Sequence, residues 1–224
     1  MRVYPLRTLT YLAAGLIGAG VHAAWSASDP RPAGPRVARE AQEPQRFPGS
    51  ARVEAGVPAG FARTRDGAVT AAASFVTTGQ ALLNMDPVSA ERAVRQMAAA
   101  GTADEQVRGA REQLAAVRSA LASGNGPVVF RQASIAARVV AWNPDRAEVE
   151  IWNVGVLSRA GVAPPQAGWA ISTFDLVWER GDWRIWSETI APGPAPVSDA
   201  SAAPADSQGF VGALDGFIDL GSGR

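Results

Sequence analysis

The sequence contains no cysteine and no lysine, so all 21 of its basic residues are arginine. Its one histidine is His22 and its two tyrosines are Tyr4 and Tyr11, all near the N-terminus. Beyond residue 28, thiolate catalysis, Schiff-base lysine chemistry, a triad that uses histidine and a zinc site of His and Cys are therefore excluded. We expect a protein that is not an enzyme, with no catalytic residues, no metal site and no cofactor.

Charge of one sign is also lacking, because 21 acidic residues balance the 21 basic ones. A neutral chain does not have the strongly basic surface on which most nucleic-acid binding depends, so we expect no nucleic-acid partner. The length of 224 residues and the 47% hydrophobic content fit one core with appendages.

The first 28 residues contain the longest hydrophobic run. Arg2 and Arg7 precede it, and the remainder up to residue 28 carries no charge. Its length is near the lower limit of roughly 17 residues for a membrane-spanning helix. The positive-inside rule then predicts a single-pass anchor in the cytoplasmic membrane, with the N-terminus inside and the rest of the chain outside. The alternative is a signal peptide cleaved after the small residues Val21 and Ala23, which would release a secreted protein.

Residues 29–60 are rich in Pro, Gly, Arg and Ala and are predicted to be a linker. The predicted domain covers residues 61–191 and is of the α+β class. It begins with three helices, from about Asp66 to Asp86, from Ser89 to Gly101, and from Thr102 to Gly124. Thr102 and Glu105 have the spacing of a capping box at the start of the third helix.

The pattern after Gly126 changes to that of β-strands. Four strands are predicted, over residues 128–142, 147–157, 168–179 and 183–190, and the short links between them indicate an antiparallel meander. We expect the three helices to pack on one face of this curved four-stranded sheet. Alternation in the first strand assigns to the helix-facing side Val129, Ala133, Ile135, Ala137, Val139 and Ala141.

Residues 192–224 are predicted to be a flexible tail that ends in a short amphipathic helix, which either docks on a partner or folds back on its own domain. Six of the seven tryptophans lie in the sheet region. They either fill the core or form an exposed aromatic face used for association. The candidate interaction surface consists of Trp152, Trp169, Trp178, Trp183, Trp186, Phe210, Leu214, Phe217 and Ile218.

Three helices followed by a curved meander resemble the cone of nuclear-transport-factor-2-like proteins. The runs Trp152-Asn-Val-Gly-Val-Leu157, Pro164-Pro-Gln-Ala-Gly-Trp169, Val177-Trp-Glu-Arg-Gly-Asp-Trp-Arg-Ile185 and Ala191-Pro-Gly-Pro194, preceded by Gly67-Ala-Val69, are more specific. They resemble an uncharacterised family of membrane-anchored proteins from actinobacterial conjugative and integrative elements. The resemblance implies a role like that of the bitopic inner-membrane scaffold proteins of type IV secretion systems.

Three hypotheses follow. The first is a non-catalytic, membrane-tethered scaffold of a conjugative-transfer envelope complex, with other envelope proteins, and a second copy of itself, as partners. The second is an extracytoplasmic module that binds a small molecule or lipid in the cone, with its mouth ringed by Trp169, Trp178 and Trp186. The third is an enzyme whose only acid/base groups would be carboxylates, namely Glu148, Glu150, Asp175 and Glu188. Glu148 and Glu150 lie two residues apart on one strand, a spacing more typical of a solvated face.

Overall fold

The structure, a computed structural model, describes residues 49–124, 126–195 and 215–219. Its class is α+β. The elements in chain order are β1 (Arg52–Glu54), β2 (Val57–Ala59), α1 (Arg65–Leu82), α2 (Pro87–Met97), α3 (Ala103–Ala120), β3 (Val128–Asn143), β4 (Arg146–Arg159), β5 (Ala163–Glu179), β6 (Asp182–Pro192) and β7 (Ile218–Asp219).

The predicted architecture, three helices packed on a curved four-stranded sheet as a nuclear-transport-factor-2-like cone, is wrong. The described residues form two antiparallel sheets, β1–β2 and a long sheet in the order β6-β5-β4-β3-β7. The long strands follow the helices in the chain, and the helices do not form one layer over them. Only α1 packs extensively on the long sheet, whereas α2 and α3 pack mainly against each other.

Burial explains this arrangement. Helix α1 has 11 of its 18 residues buried, because it lies between the sheet and the other helices. Helix α2 buries four residues and α3 buries five, so each has one apolar stripe. An apolar stripe in the sequence identifies the residues that are buried but not the element that buries them. The predicted hydrophobic N-terminal helix lies outside the described residues.

The hairpin β1–β2 lies in the segment predicted to be a linker. Its two strands pair antiparallel, and Gly56 in the turn has a φ of 79°. Val57, Ala59 and Phe61 are all buried in the core. The domain therefore begins before residue 61, at a segment whose glycines and prolines mark a tight turn rather than an extended tether.

The third helix begins as predicted at Thr102, but without the capping box. The Thr102 hydroxyl makes no bond to the backbone of the first turn. It accepts a hydrogen bond of 2.7 Å from Gln106 Nε2 instead. Gln106, which is buried, also donates to the carbonyl of Ile185 at 2.9 Å, so its side chain joins α3 to β6.

A β-bulge changes the faces of β3. Ser134 pairs with Asn153 and Ala136 pairs with Trp152, so Ile135 is an extra residue. The prediction of the helix-facing side is therefore correct at Ala137 and Val139, which belong to the core cluster or pack against it. It is wrong before the bulge, where Phe130 is buried, the Ser134 hydroxyl donates to the carbonyl of Ala73, and Val129 and Ala133 are exposed.

The outer edge of β6, called the sealed edge, is covered by other parts of the chain along its first five residues, Asp182–Trp186. Ala99 N donates to Ile185 O at 2.8 Å, and Ala98 forms a parallel bridge with Ile185. At the start of β6 the buried Asp182 carboxylate accepts hydrogen bonds from the backbone of Gly60 at 2.7 Å and Phe61 at 3.2 Å. These contacts hold the segment after β2 against the long sheet.

In residues 49–124, 126–195 and 215–219 there is no helix whose length and hydropathy would let it span a membrane. The predicted anchor lies outside these ranges.

Candidate interaction surface on the open edge of the sheet

The long sheet has one face against helix α1 and one face that no described helix covers. The strand register defines this helix-free face at its centre by Ala136, Arg138, Glu150, Trp152, Trp169 and Ile171. Three of the nine residues proposed for association from the sequence, Trp152, Trp169 and Phe217, lie on this face.

Two of the tryptophans form a stacked pair on the helix-free face. The rings of Trp152 and Trp169 lie 5.0 Å apart at an interplanar angle of 29°. Trp152 is only 7% exposed, and its indole N–H donates to the carbonyl of Pro194 at 3.0 Å. The chain that follows β6 therefore crosses this face, and Trp152 is a covered residue rather than an exposed one.

Arg138 is the charged centre of the helix-free face. Its guanidinium donates to Glu150 Oε2 through Nε at 2.8 Å and through Nη2 as well. Both side chains are partly buried, with exposed fractions of 34% and 19%. A two-nitrogen contact to a carboxylate fixes the plane of a guanidinium, so its remaining N–H groups point in a set direction.

The C-terminal segment Asp215–Asp219 lies on this oriented guanidinium. Arg138 Nη1 donates to the carbonyl of Asp215 at 2.7 Å, and Arg138 Cζ lies 4.5 Å from the ring centroid of Phe217. Between them Gly216 has a φ of 75°, and a Cβ there would lie 3.1 Å from Arg138 Cδ. Only glycine adopts this conformation at little cost, so any other residue at position 216 would strain the turn.

Strand β7 then adds to the outer side of β3. Ile218 pairs with Ala137 and Asp219 with Ala136, both antiparallel. The part of the predicted C-terminal helix that the structure describes is thus a turn and a strand, because the edge of β3 supplies backbone partners that an isolated short helix lacks. Phe210 and Leu214 lie outside the described residues.

The rest of the outer side of β3 is called the open edge. Strand β3 has 16 residues, and β7 pairs with two of them. A third position, Gln132 N, donates to the side chain of Gln80 at 2.9 Å. Val129 and Val140 on this strand are 40% and 50% exposed. A long edge strand with apolar side chains is the kind of surface to which another strand adds.

Trp186 borders a cleft of about 260 Å3 at the other end of the helix-free face. Arg146 Cζ lies 5.5 Å from its ring centroid. Glu148 pairs across the strands with Asp175, whose carboxylate accepts from Ser187 at 2.8 Å. Burial, together with the negative charges of Asp175 and Glu150, raises the pKa of Glu148. The carboxylates predicted to share one side of β4 do so, in a partly exposed position.

Glu188 is the acidic group with the most unusual surroundings. It pairs with Phe174 on the helix-facing side of β6, and it is 9% exposed. Burial raises its pKa to about 8. A neutral carboxyl in this position can donate a hydrogen bond or release a proton near neutral pH. Among the described residues, no three His, Cys, Asp or Glu side chains lie close enough together to hold a metal ion.

The other residues proposed for association from the sequence are divided between core and surface. Trp183 is 1% exposed and donates to the carbonyl of Ala62 at 2.9 Å, so it is a core residue. Trp178 packs edge-on against Trp183, with ring centroids 5.3 Å apart, below the guanidinium of Arg63. Trp186 is 40% exposed and Ile218 is 55% exposed.

Sequence reasoning missed Arg138, which is central to the arrangement. Its partner Glu150 lies 12 residues away across the β3–β4 hairpin, and two bulges stand in the register of β3 with β4. Counting outward along the strands from the Asn143–Arg146 turn would pair Arg138 with Ile151. The bulge at Val140 moves its partner to Glu150, so no local signal in the sequence gives the pair.

The chain belongs to a family that the comparison with known proteins identifies. Residues 23–211 match the family described as "Domain of unknown function (DUF8175)". No curated protein matches the sequence. Among solved structures, the fold is similar to the crystal structure of the intermembrane space region of the chloroplast protein ARC6. The TM-score is 0.38 at 11% identity, over 59% of this chain and 97% of that chain. This likeness is too weak to bear on function.

Proposed function

We propose that this protein is a non-catalytic, membrane-tethered scaffold that binds other proteins through the open edge and the helix-free face of its long sheet. The observation that carries the proposal is the incomplete pairing of β3, because among the described residues a strand pairs with its outer side only at Ala136 and Ala137. Strand addition at such an edge gives affinity through backbone hydrogen bonds and specificity through alternate side chains.

The side chains around the edge favour association over chemistry. Exposed Val129 and Val140 supply apolar contacts, and the oriented guanidinium of Arg138 supplies a donor to a carbonyl or carboxylate. The part of the chain beyond residue 28 has no histidine, tyrosine, lysine or cysteine with which to form a nucleophile and base pair.

The tether and the kind of complex are parts of this proposal. The hydrophobic first 28 residues with Arg2 and Arg7 support a single-pass anchor that places the domain outside the cytoplasmic membrane. The resemblance to membrane-anchored proteins of conjugative elements supports an envelope complex of the type IV secretion kind. The partners would then be other envelope proteins.

The test compares two lysine variants of the full chain in its native membranes. Val129→Lys with Val140→Lys places charges on the open edge, which opposes strand addition. Val88→Lys, on helix α2, is the matched control because Val88 is 65% exposed and far from β3 in the chain. After crosslinking, purification and quantitative mass spectrometry, we expect the edge variant to lose at least tenfold of the envelope proteins that the control retains. Equal recovery by the two variants would contradict the proposal.

A second candidate function, binding of a small polar ligand on the helix-facing side of the sheet, is favoured by Glu188. Its buried carboxyl, with a pKa of about 8, has uncharged polar neighbours on the same side, since the buried Asn153 donates to Ser172 Oγ at 3.2 Å. A ligand held there would protonate or deprotonate Glu188, so proton uptake or release measured by calorimetry in buffers of different ionisation enthalpy would separate this function from scaffolding.

A further inference from the structure

We propose that the C-terminal segment Asp215–Asp219 is exchanged between copies of this protein, so that the segment of one copy docks on Arg138 and β3 of a neighbouring copy. The occupant is a second copy of this chain, and its segment takes the place of β7 on β3, beside the open edge. The proposal rests on the proposed function in one respect, because tethering to a membrane supplies the high local concentration that exchange requires.

The docking site is built for this segment. The guanidinium of Arg138 is fixed by Glu150, donates to the carbonyl of Asp215 and lies 4.5 Å from the ring centroid of Phe217. Gly216 brings the segment within contact of the Arg138 side chain. Arg138 thus contacts three consecutive residues of the segment, through the carbonyl of Asp215, the left-handed backbone of Gly216 and the ring of Phe217. Strand pairing alone would not require these contacts.

The same contacts form whether the segment comes from the same copy or from another. All of the contacts just described lie within residues 215–219 on one side and β3 and β4 on the other. Nineteen residues, 196–214, separate the segment from the last residue described after β6. Fully extended, a connection of this length reaches roughly 65 Å. A domain of this size has a radius of gyration of roughly 15 Å, so the connection is long enough to reach a neighbouring copy.

Local concentration then decides between the two arrangements. Since the contacts are equal, pairing within one copy is favoured only by the effective concentration that the connection imposes, which is in the millimolar range for connections of this kind. A dilute protein should therefore pair within itself. Copies anchored side by side in a membrane reach comparable concentrations, and exchange of an identical element is a low-cost route to association.

The absence of cysteine from the sequence makes this testable in the full chain. One copy carries Ala137→Cys with one affinity tag, and a second carries Ile218→Cys with another, both expressed together in the membrane. These residues are directly opposed partners. The neighbouring pair, Ala136→Cys with Asp219→Cys, repeats the test in case a cysteine at the buried Ala137 impairs folding. Val88→Cys combined with Ile218→Cys measures random collision.

After mild oxidation we expect a covalent heterodimer of about twice the 23.3 kDa of one chain, at least tenfold above the collision control. It should fall to the control level on dilution in detergent, where a single copy with both cysteines should close within itself. Gly216→Val in the copy that carries the segment should reduce the heterodimer at least fivefold, because the left-handed backbone and the contact with Arg138 oppose a side chain there.

Exchange is overturned if the heterodimer does not exceed the collision control at any density while the single copy closes within itself. It is equally overturned if Gly216→Val leaves the yield unchanged, or if neither cysteine pair reacts within or between copies. The proposed function has a separate outcome. If the lysine variant of the open edge loses its envelope partners and no exchange occurs, the scaffold stands and the exchange does not.

Discussion

The two edge strands of the long sheet, β6 and β3, are contacted on their outer sides by different parts of the chain. Along β6, the backbone of Ala99, the side chain of Gln106 and the segment bonded to Asp182 cover the first five residues of the strand, Asp182–Trp186. Along β3, the described chain supplies one glutamine side chain and a strand of two residues. Both edges belong to one sheet, yet among the described residues helix α3 and the loop after α2 contact the first, whereas a two-residue strand pairs with the second.

This contrast indicates which edge is structural and which is available. A long edge strand that is only partly paired is an aggregation hazard that proteins ordinarily block with charges, prolines or short strands. In the described part of the chain, β3 has 16 residues and a strand pairs with two of them on its outer side. Strand β3 instead presents Val129 and Val140. The largest effects of substitution are therefore expected at the sealed edge and the smallest at the open edge.

Asp182→Ala should be the most destabilising change. The carboxylate is 1% exposed and accepts from the backbone N–H groups of Gly60, Phe61 and Trp183. Its removal leaves buried donors without partners, which should lower the free energy of unfolding by about 3 kcal/mol. Urea titration of the tryptophan fluorescence measures this. Asp182→Asn, which keeps one acceptor oxygen, should lose less than half as much, and equal losses in the two variants would contradict the role assigned to the carboxylate.

Glu188→Gln should change the pH dependence of stability. Because burial raises the pKa of Glu188 to about 8, the folded state keeps a proton that the unfolded state loses above its ordinary pKa of about 4.3. The resulting stability is complete below about pH 4 and is lost as the pH rises to about 8. At pH 9 the variant should exceed the wild type by at most roughly 5 kcal/mol, and at pH 4 the two should be equal.

Thermal unfolding at several pH values measures the difference. Glu112→Gln, on the exposed side of α3, is the control and should follow the wild type at every pH. A Glu188→Gln variant that is no more stable than the control at pH 9 would mean that the Glu188 carboxyl is not held neutral.

Gln80→Ala should have the smallest effect, confined to the open edge. Loss of one partly exposed hydrogen bond to Gln132 N corresponds to about 1 kcal/mol and hence to roughly fivefold faster hydrogen exchange at that amide. The amide of Ala99 on the sealed edge is the internal control and should not change. Faster exchange at both amides together would show that the two edges are not independent.

The sequence was sufficient for the class and for most element positions, because helical and alternating patterns are local. It was not sufficient where one extra residue in a strand reverses which side chains face the helices. Ile135 in β3 and Trp186 in β6 are both extra residues in the register. Each exchanges the two faces of the strand that follows, and the second is the reason why Glu188, rather than Ser187, lies on the helix-facing side.

The candidate surface shows the same limit. Composition identified the tryptophans, Phe217 and Ile218, but burial separates Trp183 in the core from Trp186 at the surface. The pattern of residues 210–218 was interpreted as helical, whereas Ile218 pairs with Ala137. Pairing between segments about 80 residues apart depends on tertiary contacts, which no local period encodes.

The hairpin β1–β2 determines where the N-terminal part of the chain joins the domain. Residues 1–48 enter the domain at this hairpin, which Arg52 and the Asp182 carboxylate hold beside the first residues of β6. The open edge lies three strand spacings away, at roughly 14 Å. A pull on the chain at residue 49 would therefore load the hairpin and its contacts with Asp182 before it reached β3.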